Sequence, residues 1–418
     1  MHDSSPSFVR GWLAERQDRE LLRRLRRASP VASSARFVHD GRQGVSFASN
    51  DYLGLAHHPA LVEALIEGAK IWGVGAGSSA LVGGYTEAHA VLESELAAFL
   101  GFPAARVFTS GYAANLAVIT AFAREAPTAI FADKLVHASL VDALQLARAG
   151  GAKVRRYPHG NLSVLGQWLE KSREPVKLVV TDGVFSMDGD IAPLSALSEL
   201  ARAHGAWLVV DDAHGFGILG PAGQGSFADA GLNPQSHWLW VVTFGKALGA
   251  MGAAVLGAEE AMLWLDQAAR THIYTTAMPP ALAHTVHTAL QLVRDETTRR
   301  DRLAALIHRW RQGMARLPAI EVIHAPEPPE SSSSALPRLP FSRTPIQPLI
   351  LGSPERTLAI EQALAQAGFF VPAIRPPTVP EGSARLRFSL CADHGEAELD
   401  ALLEVLSQIF QQFPAPGS

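Results

Sequence analysis

Residues 207–215 have the sequence WLVVDDAHG, and residues 240–246 have the sequence WVVTFGK. Each stretch begins with a short apolar run, which predicts a buried strand, and continues into polar residues where the strand ends. In a parallel sheet covered by helices, the carboxyl ends of neighbouring strands lie at one edge, and ligands bind there. The two stretches therefore predict that Asp211 and Lys246 lie at the same ligand-binding edge.

Further apolar runs between residues 60 and 258 alternate with amphipathic segments such as Leu140–Ala149 and Leu194–Ala203. Alternation of strands with helices indicates βαβ units and a mainly parallel sheet with helices on both faces. The predicted strands are Arg106–Phe108, Ala129–Phe131, Lys153–Tyr157, Lys177–Val180, Trp207–Val210 and Trp238–Val242.

The pattern changes on both sides of this region. Apolar spacing predicts one N-terminal helix from about Phe8 to Arg27, and two long helices follow Pro279. A Pro- and Ser-rich segment, Ala325–Pro345, is predicted to be a mobile surface loop. Strands near Gln347–Leu351 and Arg385–Leu390 complete a smaller α+β domain. The predicted domains are an N-terminal helix and arm that pack with the small domain (1–55), a large domain (56–280) and the small domain (281–418).

Composition limits the possible functions. The 418 residues include 36 basic and 40 acidic side chains, a net charge of −4 that does not favour a nucleic-acid or membrane partner. The single cysteine, Cys391, excludes an intramolecular disulfide and a cysteine-only metal cage, and it is expected to be a small buried residue. No metal site is predicted. Because no signal-peptide core or membrane-length apolar run is present, a cytoplasmic enzyme is expected.

The carboxylate and the lysine at neighbouring strand ends suit pyridoxal phosphate. A carboxylate such as Asp211 pairs with the protonated ring nitrogen, and an amine such as that of Lys246 forms a Schiff base with the cofactor aldehyde. The alternative is an ordinary structural ion pair. Further cofactor elements in the expected order along the chain favour the cofactor site.

Three of these elements follow other predicted strands. The segment Thr109–Asn115 opens a helix, and the amides of Gly111 and Tyr112 are candidate phosphate donors, although simple helix capping explains the same residues. An imidazole at His137 could stack on the cofactor ring or cap a helix. Ser186 could contact the cofactor or belong to a turn formed by Asp and Gly. The glycine-rich residues 73–78 follow a helical segment, so they do not match a dinucleotide-binding loop.

Taken in order, these motifs resemble the α-oxoamine synthases, which condense an amino acid with an acyl thioester and release carbon dioxide. The matching stretches are Ser49–Leu55, Val210–Gly215, Thr243–Gly249 and Arg385–Arg387, so the resemblance extends over nearly the whole chain. It implies an α/β fold, that of a fold-type-I pyridoxal-phosphate-dependent transferase, with a large mainly parallel-sheet domain and a smaller α+β domain.

The resemblance also implies roles for individual residues. Lys246 would bind the cofactor covalently and act as acid and base at the substrate α-carbon, with Asp211 and His137 as the other catalytic residues. The implied cofactor-binding residues are Gly111, Tyr112, His137, Ser186, Asp211, His214, Thr243, Lys246 and Thr276. Thr276 would reach the phosphate across an interface, which implies a homodimer with shared active sites. The implied substrate-binding residues are Arg26, His137, Arg375 and Thr378.

Residues 374–380, IRPPTVP, and 274–280, YTTAMPP, resemble members that join L-alanine to a pimeloyl thioester, carried by coenzyme A or by acyl carrier protein. The alternatives are a synthase that uses glycine with acetyl-CoA or serine with a long-chain acyl-CoA, and an aminotransferase on the same fold. A non-catalytic pyridoxal-phosphate-binding subunit is a further alternative, which the presence of Lys246 disfavours. Arg26 is the candidate partner for the distal pimeloyl carboxylate, or it belongs to a solvated basic helix face.

Overall fold

A computed structural model describes residues 6–19, 21–22, 25, 28–31, 33–39, 41–317, 320–325 and 336–413. The strands in these residues are β1 (Ala28–Val31), β2 (Ser33–His39), β3 (Arg42–Ser46), β4 (Ala104–Phe108), β5 (Thr128–Asp133), β6 (Lys153–Tyr157), β7 (Val176–Asp182), β8 (Trp207–Asp211), β9 (Trp238–Thr243), β10 (Ala253–Gly257), β11 (Glu321–Val322), β12 (Arg338–Leu339), β13 (Ile346–Gly352), β14 (Phe369–Phe370), β15 (Ala373–Ile374) and β16 (Ala384–Ser389).

The helices in the same residues are α1 (Ser7–Asp18), α2 (Pro59–Trp72), α3 (Glu87–Leu100), α4 (Gly111–Phe122), α5 (Ala138–Ala149), α6 (Leu162–Lys171), α7 (Leu194–Ala203), α8 (Ser226–Asp229), α9 (Glu259–Ala268), α10 (Arg270–Ile273), α11 (Pro280–Asp295), α12 (Thr298–Met314), α13 (Pro354–Gln366) and α14 (Glu396–Gln412). A π-helical turn spans Ala80–Gly84. None of the described helices is both long and apolar enough to cross a lipid bilayer.

The chain forms two compact units. The larger unit comprises residues 50–304, and the smaller one comprises residues 1–49 together with 305–418. These limits differ from the domain limits near 55 and 280 that the sequence predicts. The difference at 280 arises because α11 packs on α2 and α3 within the larger unit, burying residues such as Val286 and Leu290 along its length.

A seven-stranded sheet lies at the centre of the larger unit, all within the described range 41–317, in the order β4-β10-β9-β8-β7-β5-β6. The five strands β9, β8, β7, β5 and β6, in that order across the sheet, pair in parallel with one another. Strand β10 is antiparallel to both β4 and β9. The predicted α/β class with a mainly parallel sheet is confirmed, and each of the six predicted strands is present.

Strand β10 was absent from the predicted strands. Its sequence, Ala253–Gly257, contains one β-branched residue, Val255, so its intrinsic strand preference is weak. All five residues are buried, and burial between β4 and β9 decides the conformation. Helices α4, α5 and α9 contribute buried side chains to the hydrophobic core that the sheet shares.

The smaller unit contains two sheets in its described residues, ordered β1-β2-β3-β14 and β11-β12-β13-β16-β15. His394 is fully buried there, and its ring stacks on Phe47 at a centroid distance of 4.2 Å. Its Nδ1 accepts a hydrogen bond from the amide of Cys391 at 2.9 Å, so Nε2–H donates to the Ser46 carbonyl, also at 2.9 Å. Cys391 is buried, as expected from the sequence.

The N-terminal helix is shorter than predicted. Helix α1 ends at Asp18, whereas the sequence predicts helix as far as Arg27, and the described residues Leu21, Leu22 and Leu25 are not helical. Helix α1 buries none of its residues. Because most helical stability in proteins comes from packing, nothing in α1 itself supports an extension. Arg26 lies outside the described residues.

The structure describes part of the Pro- and Ser-rich segment. Residues 326–335 lie outside the described residues, but residues 336–345 contain β12, and Ser342 and Thr344 are buried. The side-chain amide of Gln347 donates to the carbonyls of both, at 3.0 and 2.8 Å. The predicted mobile loop is therefore wrong for this part, because a buried glutamine satisfies backbone groups that the composition alone leaves to solvent.

Candidate active site

Polar residues end four neighbouring strands of the large sheet. Asp133 ends β5, Asp182 ends β7 and Asp211 ends β8, while Thr243 ends β9 shortly before Lys246. Asp182 pairs in register with Asp211 on the adjacent parallel strand. Parallel strands place their carboxyl ends at one edge, so the topology brings the predicted carboxylate and lysine together.

Asp211 is buried and held by two donors. Asn115 Nδ2 donates to its Oδ2 at 2.6 Å, and the amide of Ala213 donates to its Oδ1 at 3.0 Å. Burial, and after it the neighbouring Asp211 charge, raises the pKa of Asp182 well above its usual range. Hydrogen bonds to a carboxylate stabilise its charged form. Both carboxylate oxygens of Asp211, the group predicted to pair with a pyridinium, therefore accept hydrogen bonds from fixed donors.

Helix α4 begins at the predicted phosphate loop. Ser110 caps the helix by accepting from the amide of Ala113 at 3.2 Å. A Cβ atom at Gly111 would lie 2.5 Å from Cγ2 of Thr243, so the close approach of the loop to β9 requires glycine. Thr243 Oγ1 is buried and has no hydrogen-bond partner among the described residues. A buried hydroxyl beside a helix N-terminus fits a phosphate group.

Tyr112 is predicted to contribute its backbone amide to this loop. Its side chain is about half exposed, and its hydroxyl donates to Asp142 Oδ2 at 2.6 Å. The hydrogen bond to Asp142, and after it partial exclusion of water, raises the pKa of the phenol. The predicted contribution of Tyr112 is its amide, which this side-chain arrangement leaves unchanged.

His137 caps helix α5. Its Nδ1 accepts from the amide of Ser139 at 3.3 Å and lies 2.7 Å from Ser139 Oγ, while its own amide donates to Asp182 Oδ1 at 3.1 Å. Both the capping role and a position near Asp182 are therefore present. The pKa of His137 is lowered because partial exclusion of water from the ring, aided by the charge of Lys246, outweighs the opposing charge of Asp211.

Lys246 is half-buried in the turn that follows β9. The amide of Gly249 donates to its carbonyl at 2.9 Å. Gly249 has φ 65°, and a Cβ atom there would lie 2.3 Å from the backbone nitrogen of Ala56, so only glycine fits this turn. The charge of Lys246 acts on both His137 and Asp182. The turn thus holds Lys246 near His137 and Asp182.

His214 and Ser186 are both buried in the larger unit. His214 Nδ1 lies 2.7 Å from the hydroxyl of Tyr52, which also donates to Asn50 Oδ1 at 3.1 Å. His214 follows Asp211 by three residues, and Ser186 follows β7 in the loop before α7. Both therefore belong to loops at the carboxyl edge of the sheet.

His159 joins two of these loops. Its Nδ1 lies 3.0 Å from Asp133 Oδ1, and its Nε2 lies 2.9 Å from Asp190 Oδ2. Burial by itself lowers the pKa of His159, but hydrogen bonds and charge from the two carboxylates outweigh burial and raise the pKa to about 10. A protonated His159 therefore connects the end of β5, four residues before His137, to the loop that carries Ser186. His159 is not among the site residues predicted from the sequence.

The other predicted site residues belong to other segments of the chain. Arg375 and Thr378 line a cavity of about 210 Å³ in the smaller unit, together with Leu21, Ala373, Ile374 and Pro376. The Thr378 amide donates to the Arg375 carbonyl at 3.1 Å. Thr276 is exposed in the segment between α10 and α11 of the larger unit. Arg26 has no described position.

A model of the family described as aminotransferase class I and II matches residues 42–406. The chain belongs to this family. Curated relatives that it resembles are named 8-amino-7-oxononanoate synthase. The one from Azoarcus sp. (strain BH72) is 48% identical over 390 residues, covering 93% of this chain and 94% of the relative. The one from Burkholderia thailandensis is 49% identical over 391 residues, covering 92% and 93%.

Solved structures of other proteins are also similar to this chain. A serine palmitoyltransferase from S. paucimobilis, with bound PLP and myriocin, has a TM-score of 0.86 at 27% identity and covers 97% of both chains. An 8-amino-7-oxononanoate synthase from Francisella tularensis has a TM-score of 0.71 at 28% identity, covering 88% of this chain and 98% of that one. The predicted resemblance to α-oxoamine synthases is confirmed.

Two residues that contact the predicted site of this aminotransferase-family chain were missed as site residues. Asn115 lies one helical turn after Gly111, and Ser139 lies two residues after His137; both are buried and hydrogen-bonded to each other at 2.8 Å. Spacing offers one signal, since a residue four positions into a helix faces the same side as its first residue. The contact between α4 and Asp211 spans 96 residues and has no local signature.

Proposed function

We propose that this chain catalyses the pyridoxal-phosphate-dependent condensation of L-alanine with a pimeloyl thioester, giving 8-amino-7-oxononanoate, carbon dioxide and a free thiol, a step of biotin biosynthesis. The main support is the sheet edge that gathers Asp211, Lys246 and the buried hydroxyl of Thr243. Near full-length relatives at 48–49% identity carry the name of this synthase. The enzyme is therefore an acyltransferase of the α-oxoamine synthase type.

The larger unit supplies the residues that would hold the cofactor. Thr243 Oγ1 and the amides of Gly111 and Tyr112 would bind its phosphate, and Asp211 would pair with its ring nitrogen. Lys246 Nζ would hold it covalently. His137 would stack on the ring, and Ser186 and His214 would contact the side of the ring that bears the hydroxyl group. Bound pyridoxal phosphate supplies an electron sink for charge that develops at the α-carbon of the amino acid.

The chain's own residues move the protons. Arg375 would bind the carboxylate of L-alanine, with Thr378 beside it in the cavity of the smaller unit. Lys246 Nζ would take the α-proton, after which the α-carbon bonds to the thioester carbonyl carbon and the thiol leaves. The carboxylate then departs as carbon dioxide, and Lys246 returns a proton to the same carbon. A lysine is suited both to removing a proton and to returning one, because the pKa of its amine responds strongly to its surroundings.

The acyl donor distinguishes this activity from those of related synthases. Purified protein is expected to turn over L-alanine with pimeloyl-CoA, and the product mass identifies 8-amino-7-oxononanoate. Pimeloyl-acyl carrier protein, acetyl-CoA, octanoyl-CoA and palmitoyl-CoA, each tested with L-alanine, glycine and L-serine, complete the comparison. Faster turnover of glycine with acetyl-CoA, or of L-serine with palmitoyl-CoA, would contradict the proposed substrates and leave the family membership unchanged.

A pimeloyl chain ends in a carboxylate, and burying that charge without a partner costs several kcal/mol. We propose that Arg26 is this partner. The Arg26→Ala variant then loses activity with pimeloyl-CoA selectively and keeps its activity with octanoyl-CoA in the same comparison.

Arg375→Lys is expected to weaken L-alanine binding by roughly 10-fold or more, because an ammonium group cannot reproduce the two parallel hydrogen bonds of a guanidinium to a carboxylate. The measurement is a spectrophotometric titration of the cofactor-loaded variant with L-alanine. Cofactor content remains as in the parent protein, since Arg375 belongs to the smaller unit. An unchanged alanine titration would refute this role, and Arg356→Lys on helix α13 is a matched control.

We propose that a second copy of the chain covers the surface near Thr276 and that the two copies share their active sites. Val74, Val82 and Tyr274 are 88%, 83% and 71% exposed. They lie on two segments that are joined by a hydrogen bond from the Ala277 amide to the Ser78 carbonyl at 2.9 Å. Large apolar side chains gathered on one surface are typical of an interface.

The dimer is tested by sedimentation velocity. The unmodified protein is expected to sediment as a dimer, and Val82→Asp is expected to shift it towards the monomer and to weaken cofactor binding, because Thr276 of one copy would then no longer reach the phosphate site of the other. Leu146→Asp, at a 54% exposed leucine on α5, is the control. A parent protein that sediments as a monomer at all concentrations contradicts the proposal.

We propose a cytoplasmic location for the protein, where a reducing environment would keep the single cysteine as a thiol.

A further inference from the structure

Four polar side chains of the larger unit form a continuous chain of hydrogen bonds. Asn115 Nδ2 donates to Asp211 Oδ2 at 2.6 Å and to Ser139 Oγ at 2.8 Å, and Ser139 Oγ lies 2.7 Å from His137 Nδ1. Asn115 and Ser139 are each 1% exposed. The chain therefore connects the carboxylate at the end of β8 with the imidazole at the start of α5 through two buried residues.

The donor and acceptor roles in this chain follow from its two ends. The carboxylate of Asp211 can only accept from its neighbour, so the amino group of Asn115 faces it, and the second N–H of the same group points to Ser139. At the other end, the backbone amide of Ser139 donates to His137 Nδ1 at 3.3 Å. Nδ1 is therefore an acceptor, and Ser139 Oγ donates its proton to Nδ1 while accepting from Asn115.

We infer that Asn115 and Ser139 are positioning residues, which orient the carboxylate of Asp211 and hold His137 as the neutral tautomer with its proton on Nε2. The inference rests on the proposed function for the roles of Asp211 and His137 at the cofactor. Neither positioning residue needs to touch the substrate. The relay therefore orients both Asp211, which would pair with the ring nitrogen, and His137, which would stack on the ring.

The surroundings of His137 agree with a neutral imidazole. Partial exclusion of water lowers its pKa, Lys246 lowers it further, and only Asp211 and Asp142 act in the opposite direction. A neutral His137 with the proton on Nε2 presents one hydrogen-bond donor away from α5. This donor is suited to a carbonyl or carboxylate oxygen of a bound amino acid, whereas the other tautomer would offer only an acceptor there.

The relay is tested first on the unmodified, cofactor-loaded protein. Nitrogen-15 NMR of histidine-labelled protein distinguishes the two neutral tautomers, and a His137→Gln spectrum assigns the signal. The expected result is the Nε2–H tautomer at neutral pH. A signal of the Nδ1–H tautomer, or of a protonated imidazole, in the unmodified protein would overturn the inference.

Variants then separate positioning from simple support of the fold. Asn115→Ala is expected to weaken cofactor binding roughly 10- to 100-fold, the range for losing a hydrogen bond to a charged group. Ser139→Ala is expected to mix the tautomers of His137 and to lower kcat roughly 10-fold with little change in the KM for L-alanine. The double variant should lose less than the product of the two single losses, because both belong to one relay.

Thr120→Ala is the matched control, because Thr120 lies on α4, as Asn115 does. Its half-buried hydroxyl donates to the Leu116 carbonyl and not to a residue of the relay. It is expected to change neither the His137 spectrum nor cofactor affinity. If both relay variants match this control in the spectrum and in the cofactor dissociation constant, the inference is wrong. Should Asn115→Ala fail to fold, the unmodified protein and Ser139→Ala decide the question. A failed substrate comparison with the expected NMR result would contradict the proposed substrates and leave the relay standing.

Discussion

Lys246→Ala is expected to lose more than ~10³-fold in turnover, equivalent to more than ~4 kcal/mol of transition-state stabilisation at 1.36 kcal/mol per decade. The proposed reaction uses this amine twice, as the covalent attachment of the cofactor and as the group that moves the α-proton. The methyl side chain of the Lys246→Ala variant can perform neither function. The measurement is steady-state turnover with L-alanine and pimeloyl-CoA, together with borohydride reduction and mass spectrometry of the peptide that contains residue 246.

The parent protein should carry the reduced cofactor on Lys246, and the variant should carry none. Lys177→Ala is the control, because Lys177 is half-buried in β7 and donates to the His204 carbonyl at 3.2 Å. This control is expected to keep both the cofactor adduct and turnover. Full turnover by the Lys246 variant, or an adduct on a different lysine, would show that the assignment is wrong.

Asp211→Asn is expected to reduce turnover by about 10³-fold or more and to destabilise the fold by ~1–3 kcal/mol. The neutral amide cannot keep a pyridinium protonated, so the electron sink is weakened. The fold also suffers, because both neighbours of the side chain are donors. Whichever way the new amide turns, its NH₂ group faces either Asn115 Nδ2 or the Ala213 amide.

Turnover and thermal unfolding of the variant are measured beside those of Asp266→Asn. Asp266 is also a buried carboxylate, and it accepts a hydrogen bond from Arg106 Nη2 at 2.8 Å. It lies on helix α9 rather than at the end of a strand. Its variant is expected to lose stability but to retain kcat. An Asp211 variant whose loss of turnover matches that of Asp266→Asn would indicate that Asp211 only supports the fold.

The sequence predicted most of the large sheet because its strands are apolar runs that end in polar residues. Trp207–Asp211 and Trp238–Thr243 are almost entirely buried, and burial selects the pattern that the prediction uses. Strand β10 escaped because alanine and glycine give little strand preference. The end of helix α1 was misplaced because periodicity suggests helix even where no packing supports it.

The sequence indicates which polar residues follow strands, but it does not indicate which residues meet across the chain. Asp211, Lys246 and Thr243 could be found because topology places strand ends together. Asn115 lies at the end of the predicted phosphate loop, yet its contact with Asp211 depends on how α4 lies against β8. His159 was missed because its two carboxylate partners lie 26 and 31 residues away in sequence, on different loops.

The His159 bridge makes one proton a component of the folded structure. The bridging carboxylates raise its pKa from 6.5 to about 10, so the folded chain holds this proton more tightly than the unfolded chain. Its contribution to stability is complete below pH 6.5 and is lost as the pH rises through about 10. Across the intervening range the folded protein keeps a proton that the unfolded chain releases to solvent. The proton thus acts as a bound ligand that favours the native state by mass action, as any ligand specific for the folded chain would.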